Sequence, residues 1–134
     1  MMPKRSKWAK RQLVDFLVLC YQDKIPPHSI QGSYAGAFGY GQFIPSSFIS
    51  YSVDGNNDGK RKPYDWEDVF ASIANYLIKN GYPASENNKD KVYKSIYAYN
   101  HADNYVKAVL ALSEEIRKNI DKLYSDKQLT QIQI

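Results

Sequence analysis

Cysteine is almost absent from this chain of 134 residues, in which Cys20 is the single example. One cysteine excludes an internal disulfide and provides no pair of thiolates for a metal site. The apolar stretch that ends at this cysteine, residues 16–20, is about five residues long, whereas the apolar core of a secretion signal needs roughly seven to fifteen. Asp15 interrupts that stretch, and a leucine stands where a lipoprotein cleavage site has a small residue. We therefore expect Cys20 to be a buried helix residue and not a lipid anchor.

The sequence also lacks long hydrophobic runs, strand-like alternation and internal repeats. No stretch is long enough for a transmembrane helix. Hydrophobic residues make up 43% of the chain, which is ordinary for one globular domain. The net charge of +4 suits an anionic polymer. The one tight basic triplet, residues 60–62, comes without a nucleic-acid reading motif, so we expect no nucleic-acid partner.

Helical periodicity and helix-ending residues predict an all-α fold. The first helix is expected to begin after Ser6 as N-cap and to end before Pro26, with a buried stripe of Ala9, Leu13, Phe16, Leu17 and Cys20. A short helix is expected near Pro45, with Phe48 and Tyr51 facing inward. The next is expected after Asp65 as N-cap, with a buried stripe of Val69, Phe70, Ile73 and Leu77. Two more are predicted, near residues 90–98 and from Asp103 as N-cap, with a weakly patterned tail after Leu123.

Residues 31–43 have a different composition, with four glycines and two alanines among thirteen residues. Glycine permits a positive φ and close approach of the backbone to another group. Such a segment is a poor regular helix and is suited to form a wall beside a ligand. Tyrosine is abundant, with twelve examples against five phenylalanines, and its ring and hydroxyl suit half-wet surfaces such as carbohydrate grooves.

The segment DGNNDGK, residues 54–60, has the pattern of an EF-hand-type calcium loop. Oxygen-bearing side chains stand at loop positions one, three and five, glycine at position six, and the carbonyl of position seven adds another oxygen. Position twelve is Asp65 in place of the usual glutamate, and its shorter side chain reaches the ion less easily. Asp68 is the competing closing ligand. The alternative is a plain Asn/Gly turn, but uncompensated carboxylates would repel one another without an ion.

Three blocks of the sequence together resemble the membrane-bound lytic murein transglycosylase B family. The first block is GSYAGAFGYGQFIPSSF, residues 32–48. The second begins with YSVD, includes the calcium-like loop and continues through ASIANYL to NGY, residues 51–82. The third is YNHADNYV, residues 99–106. The blocks follow the family's order over residues 3 to about 115.

The resemblance implies a lysozyme-like fold and cleavage of the β-1,4 bond between N-acetylmuramic acid and N-acetylglucosamine in peptidoglycan, with a 1,6-anhydro product. It implies that residues 1–123 are a partial catalytic domain with a structural calcium loop at 54–68, followed by a tail at 124–134. The substrate-contacting positions that carry over are Ser33, Gln42, Tyr76, Tyr99, Asn100 and Tyr105. The calcium ligands that carry over are Asp54, Asn56, Asp58, the carbonyl of Lys60, and Asp68 in preference to Asp65.

The family's catalytic glutamate has no counterpart in this chain. In the family it lies in a Gly-Val-Glu-Thr-type helix upstream of the glycine-rich block, but none of the 31 residues before Gly32 is glutamate and the first in the chain is Glu67. We therefore expect a fragment with a substrate groove and without the catalytic acid, whose full-length parent acts in the periplasm or at the outer membrane. Any membrane association would come from a segment outside this chain. The alternatives are a non-catalytic peptidoglycan-binding accessory module and a calcium-stabilised interaction domain unrelated to murein.

Overall fold

The computed structural model describes residues 4–131, except for the side chains of residues 121 and 123–131. The elements are α1 (Lys4–Gln22), a 3-10 turn (Pro27–Ser29), α2 (Pro45–Tyr51), α3 (Trp66–Lys79), α4 (Lys89–Tyr99) and α5 (Asp103–Gln131). The all-α prediction is confirmed for this part of the chain, where extended pairing is limited to two isolated bridges at Phe38. The chain divides into two compact units, Met1–Lys79 and Asn80–Ile134.

The first unit packs α1 against α2 through a buried glutamine. The Gln12 side-chain amide donates to the Ser46 hydroxyl at 2.9 Å and its oxygen accepts from the Ser46 backbone N–H at 3.1 Å. This N–H lies in the first turn of α2, where helix geometry provides no partner, so Gln12 satisfies it. Pro45 begins α2, as predicted, because a proline at the first position loses no helical hydrogen bond.

The buried side of α1 differs from the predicted stripe. Leu19 and Cys20 are buried with Gln12, whereas Leu13 and Leu17 are exposed by about half. Ser6 lies inside the helix, which begins at Lys4, so its predicted N-cap role is wrong. The stripe was wrong because the apolar residues were assumed to define the inner face, while the contact with α2 is made by a polar side chain.

Cys20 is buried, as predicted, with 2% of its surface exposed. Burial raises the pKa of its thiol above the ordinary value, and the negative charge of Asp23 raises it further. A thiol in this setting stays protonated near neutral pH, and packing explains its presence.

The buried side of α3 carries two polar residues together with an apolar one: Asp68, Val69 and Ser72. The Ser72 hydroxyl accepts the Val53 backbone N–H at 3.0 Å, and Asp68 holds the preceding loop. Phe70, predicted to be buried, is 64% exposed. Val69 is buried as predicted and Ile73 and Leu77 are half-buried, so the prediction was wrong for Phe70 alone. The inner face of this helix also includes the polar tethers Asp68 and Ser72.

The second unit is built from α4 and α5. Asn88 caps α4 by accepting the Lys91 N–H at 3.1 Å, and Val92, Ile96 and Val106 are buried. The Tyr93 hydroxyl donates to the Asp103 carboxylate, which thereby links the two helices. Asp103 is the first residue of α5 and not the residue before it, and α5 continues past residue 123 to Gln131.

Within the described residues, no helix combines the length and the apolar character that crossing a bilayer requires.

Candidate functional site

The glycine-rich loop, residues 31–43, is organised by a tight turn at Ser33. The Ser33 N–H donates to the Ala37 carbonyl at 2.7 Å, and its hydroxyl oxygen accepts the Ala37 N–H at 3.1 Å. The Gly36 N–H donates to the Ser33 carbonyl at 2.9 Å, and Gly36 has a φ of +85°. The Ser33 side chain is exposed, and because its oxygen is the acceptor in the turn, its hydroxyl hydrogen remains available to a ligand.

Phe38 attaches this loop to the core of the first unit. Its side chain is 2% exposed, and its ring lies 6.0 Å from that of Phe16 and 5.2 Å from that of Phe48. The Phe38 N–H donates to the Phe43 carbonyl at 3.0 Å. The glycine-rich loop has few large side chains of its own, and the buried rings of Phe38 and Phe43 hold it in position.

Gln42 has a backbone conformation that is uncommon for a residue with a side chain. Its φ is +48°, its N–H donates to the Gly39 carbonyl at 3.1 Å, and its side-chain amide donates to the same carbonyl at 2.8 Å. The side-chain oxygen has no hydrogen-bond partner among the described residues. Backbone strain is concentrated at binding and catalytic positions in folded proteins, so this geometry supports a ligand-contacting role.

An open cavity of about 540 Å³ lies against the glycine-rich loop. Its lining includes Ser29, Gln31, Tyr40, Gln42 and Tyr64, with glycine backbone between them and no charged side chain. Uncharged amide and hydroxyl groups beside aromatic rings suit a neutral polar ligand better than an anion or a cation.

Four aromatic side chains beside this cavity form a ladder that the sequence analysis did not recognise as a site. Tyr40 stacks on Trp66 with a ring separation of 4.3 Å, Trp66 stacks on Phe70 at 5.4 Å, and Tyr64 meets Tyr40 edge-on at 5.5 Å. We call Tyr64, Tyr40, Trp66 and Phe70 the aromatic ladder. The spacing of Trp66 and Phe70 by one helical turn was the available signal, but the sequence prediction assigned Phe70 to a buried stripe and gave Trp66 no role.

Tyr76, predicted to contact substrate, is half-buried within the first unit. Its ring lies 4.6 Å from Tyr51 and 5.8 Å from Phe43. Burial raises the pKa of the Tyr76 hydroxyl, and Tyr51 adds to the effect. Tyr51 packs inward as predicted, and Tyr76 therefore supports the loop from behind through Phe43.

The other three predicted contact residues lie in the second unit, at the corner between α4 and α5. Tyr99 is the last residue of α4, Asn100 caps it by donating its N–H to the Ile96 carbonyl at 3.3 Å, and Tyr105 is in the first turn of α5. Asn100 is exposed, and the two tyrosines are half-buried. The structure thus brings these three residues to one corner, while Ser33 and Gln42 share the loop in the first unit.

The calcium-like loop is folded by its own side-chain oxygens. Asp54 accepts the N–H groups of Asp58 and Gly59, at 3.1 and 2.7 Å, and Asn56 accepts the Asp58 N–H at 3.1 Å. Asp58 accepts the Lys60 N–H at 3.0 Å. Among the described residues no three His, Cys, Asp or Glu side chains are gathered as a metal cluster.

A lysine supplies positive charge in this loop. The Lys62 ammonium donates to the Asp58 carboxylate, which lowers the pKa of Asp58 and raises that of Lys62 relative to their ordinary values. One loop carboxylate, that of Asp58, is thus paired with a side-chain cation, while Asp54 and Asn56 accept backbone N–H groups.

Asp65 and Asp68, the two candidates for closing the loop, have different environments. Asp65 caps α3, since its carboxylate accepts the Glu67 N–H at 3.0 Å. Asp68 is 2% exposed, and its two oxygens accept the N–H groups of Gly55 and Lys62 at 2.8 and 2.7 Å. The N-cap prediction for Asp65 is confirmed, and Asp68 is the residue that joins the two ends of the loop to α3.

The family model described as transglycosylase SLT domain matches residues 1–93. Over 80 residues, which are 60% of this chain, the sequence is 39% identical to membrane-bound lytic murein transglycosylase B from Escherichia coli strain K12. Those residues span 22% of that relative.

Solved structures with the same fold include soluble lytic transglycosylase SltB1 from Pseudomonas aeruginosa, with a TM-score of 0.79 and 23% identity over 89% of this chain and 60% of that chain. Another is the Escherichia coli lytic transglycosylase Slt35 in complex with calcium, with a TM-score of 0.79 and 23% identity over 87% of this chain and 55% of that chain. Slt35 has also been solved in complex with bulgecin A. The sequence-based prediction of the family is confirmed, and the chain corresponds to little more than half of these structures.

Proposed function

Because the chain belongs to the transglycosylase SLT domain family, we propose that it carries part of the glycan-binding surface of a peptidoglycan lytic transglycosylase. The parent enzyme would cleave the β-1,4 bond between N-acetylmuramic acid and N-acetylglucosamine and leave a 1,6-anhydro end. The observation that carries the proposal is the uncharged cavity at the glycine-rich loop, where Gln42 has a free side-chain oxygen. Ser33 adds a hydroxyl hydrogen on the same loop.

Within the second unit, we propose Tyr99, Asn100 and Tyr105 as glycan contacts. An exposed asparagine amide can both donate to and accept from sugar hydroxyl and acetamido groups. Tyrosine rings offer apolar faces to a pyranose and a hydroxyl to water. Tyr76 has a supporting role in this proposal, because its ring is engaged with Phe43 and Tyr51.

The chemical step requires a carboxylic acid that stays protonated until it donates to the leaving oxygen, and desolvation is the usual cause of such a raised pKa. All four glutamates of this chain are exposed: Glu67, Glu86, Glu114 and Glu115. Glu86 is paired with Arg117 at 2.8 Å. We infer that the catalytic glutamate is supplied from outside these 134 residues, so that this chain alone binds glycan without cleaving it.

Incubation of the folded chain with purified peptidoglycan tests this proposal. We expect co-sedimentation with the polymer and no release of anhydro-muropeptides by mass spectrometry. Gln42→Ala should weaken binding roughly 3- to 10-fold, the equivalent of one hydrogen bond. Gln22→Ala, which removes an exposed glutamine at the end of α1, is the matched control and should bind like the wild type.

Three other results would change the interpretation. Release of anhydro-muropeptides would place the catalytic acid within this chain, and failure to bind would remove the proposed function. A parent protein that binds peptidoglycan and releases no anhydro-muropeptides would indicate the alternative function, a non-catalytic accessory module.

Because peptidoglycan lies outside the inner membrane, we propose that the parent acts in the periplasm or at the outer membrane.

We also propose that the loop at 54–68 binds a structural calcium ion through Asp54, Asn56, Asp58, the Lys60 carbonyl and Asp68. Binding would have to draw the three carboxylates together, because the described residues hold no gathered cluster of three acidic side chains. The donors are all oxygens, which a hard cation prefers. A carboxylate has about four lone-pair sites, so the oxygens that accept loop N–H groups retain capacity for an ion. Lys62, which pairs with Asp58 at an exposed position, would release that carboxylate to the ion.

Melting temperature measured with calcium and with a chelator tests this site. Calcium should raise the melting temperature of the wild type, because an ion that binds only the folded loop stabilises it by mass action. Asp68→Asn should abolish the calcium effect. Asp65→Asn should keep it, since asparagine is an equally good N-cap. A calcium effect that survives Asp68→Asn and disappears in Asp65→Asn would assign the closing ligand to Asp65, and indifference of the wild type to chelator would refute the site.

A further inference from the structure

The aromatic ladder is unusual because all four of its members are substantially exposed. Tyr64 is 45% exposed, Tyr40 50%, Trp66 55% and Phe70 64%. A stack of aromatic rings formed only for stability would be expected to bury most of its surface, since the stabilisation comes from area removed from water. Four neighbouring exposed rings mark an interaction surface and not a core.

The position of the ladder suggests its ligand. Tyr40 and Tyr64 belong both to the ladder and to the lining of the 540 Å³ cavity that contains Gln42. The Tyr64 hydroxyl donates to the Gln31 carbonyl at 3.3 Å, which holds its ring at the cavity edge. The ladder is therefore continuous with the candidate glycan site and leads away from it onto α3.

We propose that the aromatic ladder is a glycan-strand platform that binds a sugar unit beyond those held at Gln42, with Trp66 and Phe70 as its outermost contacts. The inference rests on the proposed function. It extends the ligand from the sugars at the bond to be cut to the next sugar unit of the same glycan strand. Pyranose rings have apolar C–H faces that pack on aromatic rings, and their hydroxyl and acetamido groups bond to amides such as those of Gln31 and Gln42.

The chemistry of the surroundings favours a sugar over a charged ligand. The cavity that the ladder borders has no charged side chain in its lining. A phosphate-bearing ligand or an acidic peptide would require basic groups, which are absent from that lining. An adjoining cavity that shares Ser29 and Tyr64 with it is lined by Lys62 and Asp65. Both charges are engaged, Lys62 with the Asp58 carboxylate and Asp65 in capping α3.

Titration with β-1,4-linked N-acetylglucosamine oligomers of increasing length, followed by calorimetry, tests the platform. The wild type should bind longer oligomers more tightly than the disaccharide. Trp66→Ala and Phe70→Ala should each weaken binding of the longer oligomers roughly 3- to 10-fold, the worth of one aromatic contact, and leave the disaccharide unchanged. Trp8→Ala is the matched control, since Trp8 is a 46%-exposed tryptophan on α1, and it should bind like the wild type.

The outcomes separate this inference from the proposed function. If the wild type binds no oligomer and no peptidoglycan, the proposed function fails. If the wild type binds and Gln42→Ala weakens that binding while Trp66→Ala and Phe70→Ala do not, the glycan site stands and the platform is refuted. Equal weakening of all lengths by Trp66→Ala would also refute it, because the ladder would then act on the site at Gln42. Circular dichroism of each variant should match the wild type, since these side chains are exposed.

Discussion

Gly39→Ala is expected to destabilise the first unit by about 3 kcal/mol or more. A Cβ at this position would lie 2.5 Å from the Pro63 carbonyl oxygen and 2.7 Å from the Pro63 Cβ. No flexible side chain can yield, since two backbone segments meet here and the Tyr40 N–H bonds to the same carbonyl at 2.9 Å. The φ of +68° adds the ordinary cost of a left-handed conformation.

Gly36→Ala is the matched control for this effect. Gly36 belongs to the same loop and has a φ of +85°, but a Cβ there would meet nothing within 4 Å. The Gly36→Ala substitution should lower the free energy of unfolding by only about 1 kcal/mol, the cost of the left-handed backbone conformation alone. Urea denaturation followed by circular dichroism measures both. Equal losses would mean that the contact with Pro63 does not hold the glycine-rich loop in place.

Gly55→Ala is the second substitution for which we expect a large effect, again about 3 kcal/mol or more. The added Cβ would lie 2.3 Å from the Glu67 carbonyl oxygen and 3.0 Å from the Asp68 nitrogen, in the first turn of α3. To relieve the clash, the loop would have to move away from the helix and lose the hydrogen bond from the Gly55 N–H to Asp68. We expect the calcium response to be lost together with the stability.

Gly59→Ala provides the comparison in the same loop. Gly59 stands at position six of the EF-hand pattern and has a φ of +83°. A Cβ added there would meet nothing within 4 Å. Its replacement should cost about 1 kcal/mol. Thermal unfolding of the two variants with and without calcium measures the difference. A larger loss for Gly59→Ala than for Gly55→Ala would contradict the close contact between this loop and α3.

Sequence patterns alone determined much of the architecture because the signals that set helix ends are local. Proline at 45, the Asp65 cap and the glycine after α3 each act within one turn of the helix that they begin or end. The end of α1 is the exception, because the helix stops at Gln22, before Pro26, with Lys24 at a φ of +55°. The same is true of the loop at 54–60, where side-chain oxygens accept N–H groups from residues two to five positions away. The family was also recognisable, since its motifs are contiguous.

The tertiary structure alone decided which faces are buried and which carboxylate joins the loop backbone to α3. Gln12 bonds Ser46 across 34 positions, Ser72 bonds Val53 across 19 and Asp68 bonds Gly55 across 13. A pattern that counts apolar residues cannot find inner faces held by such polar tethers, so it placed Phe70 inside. The loop pattern left Asp65 and Asp68 as alternatives, and only the family resemblance favoured Asp68. Long-range hydrogen bonds select one rotation of each helix, and that selection exposes the aromatic ladder.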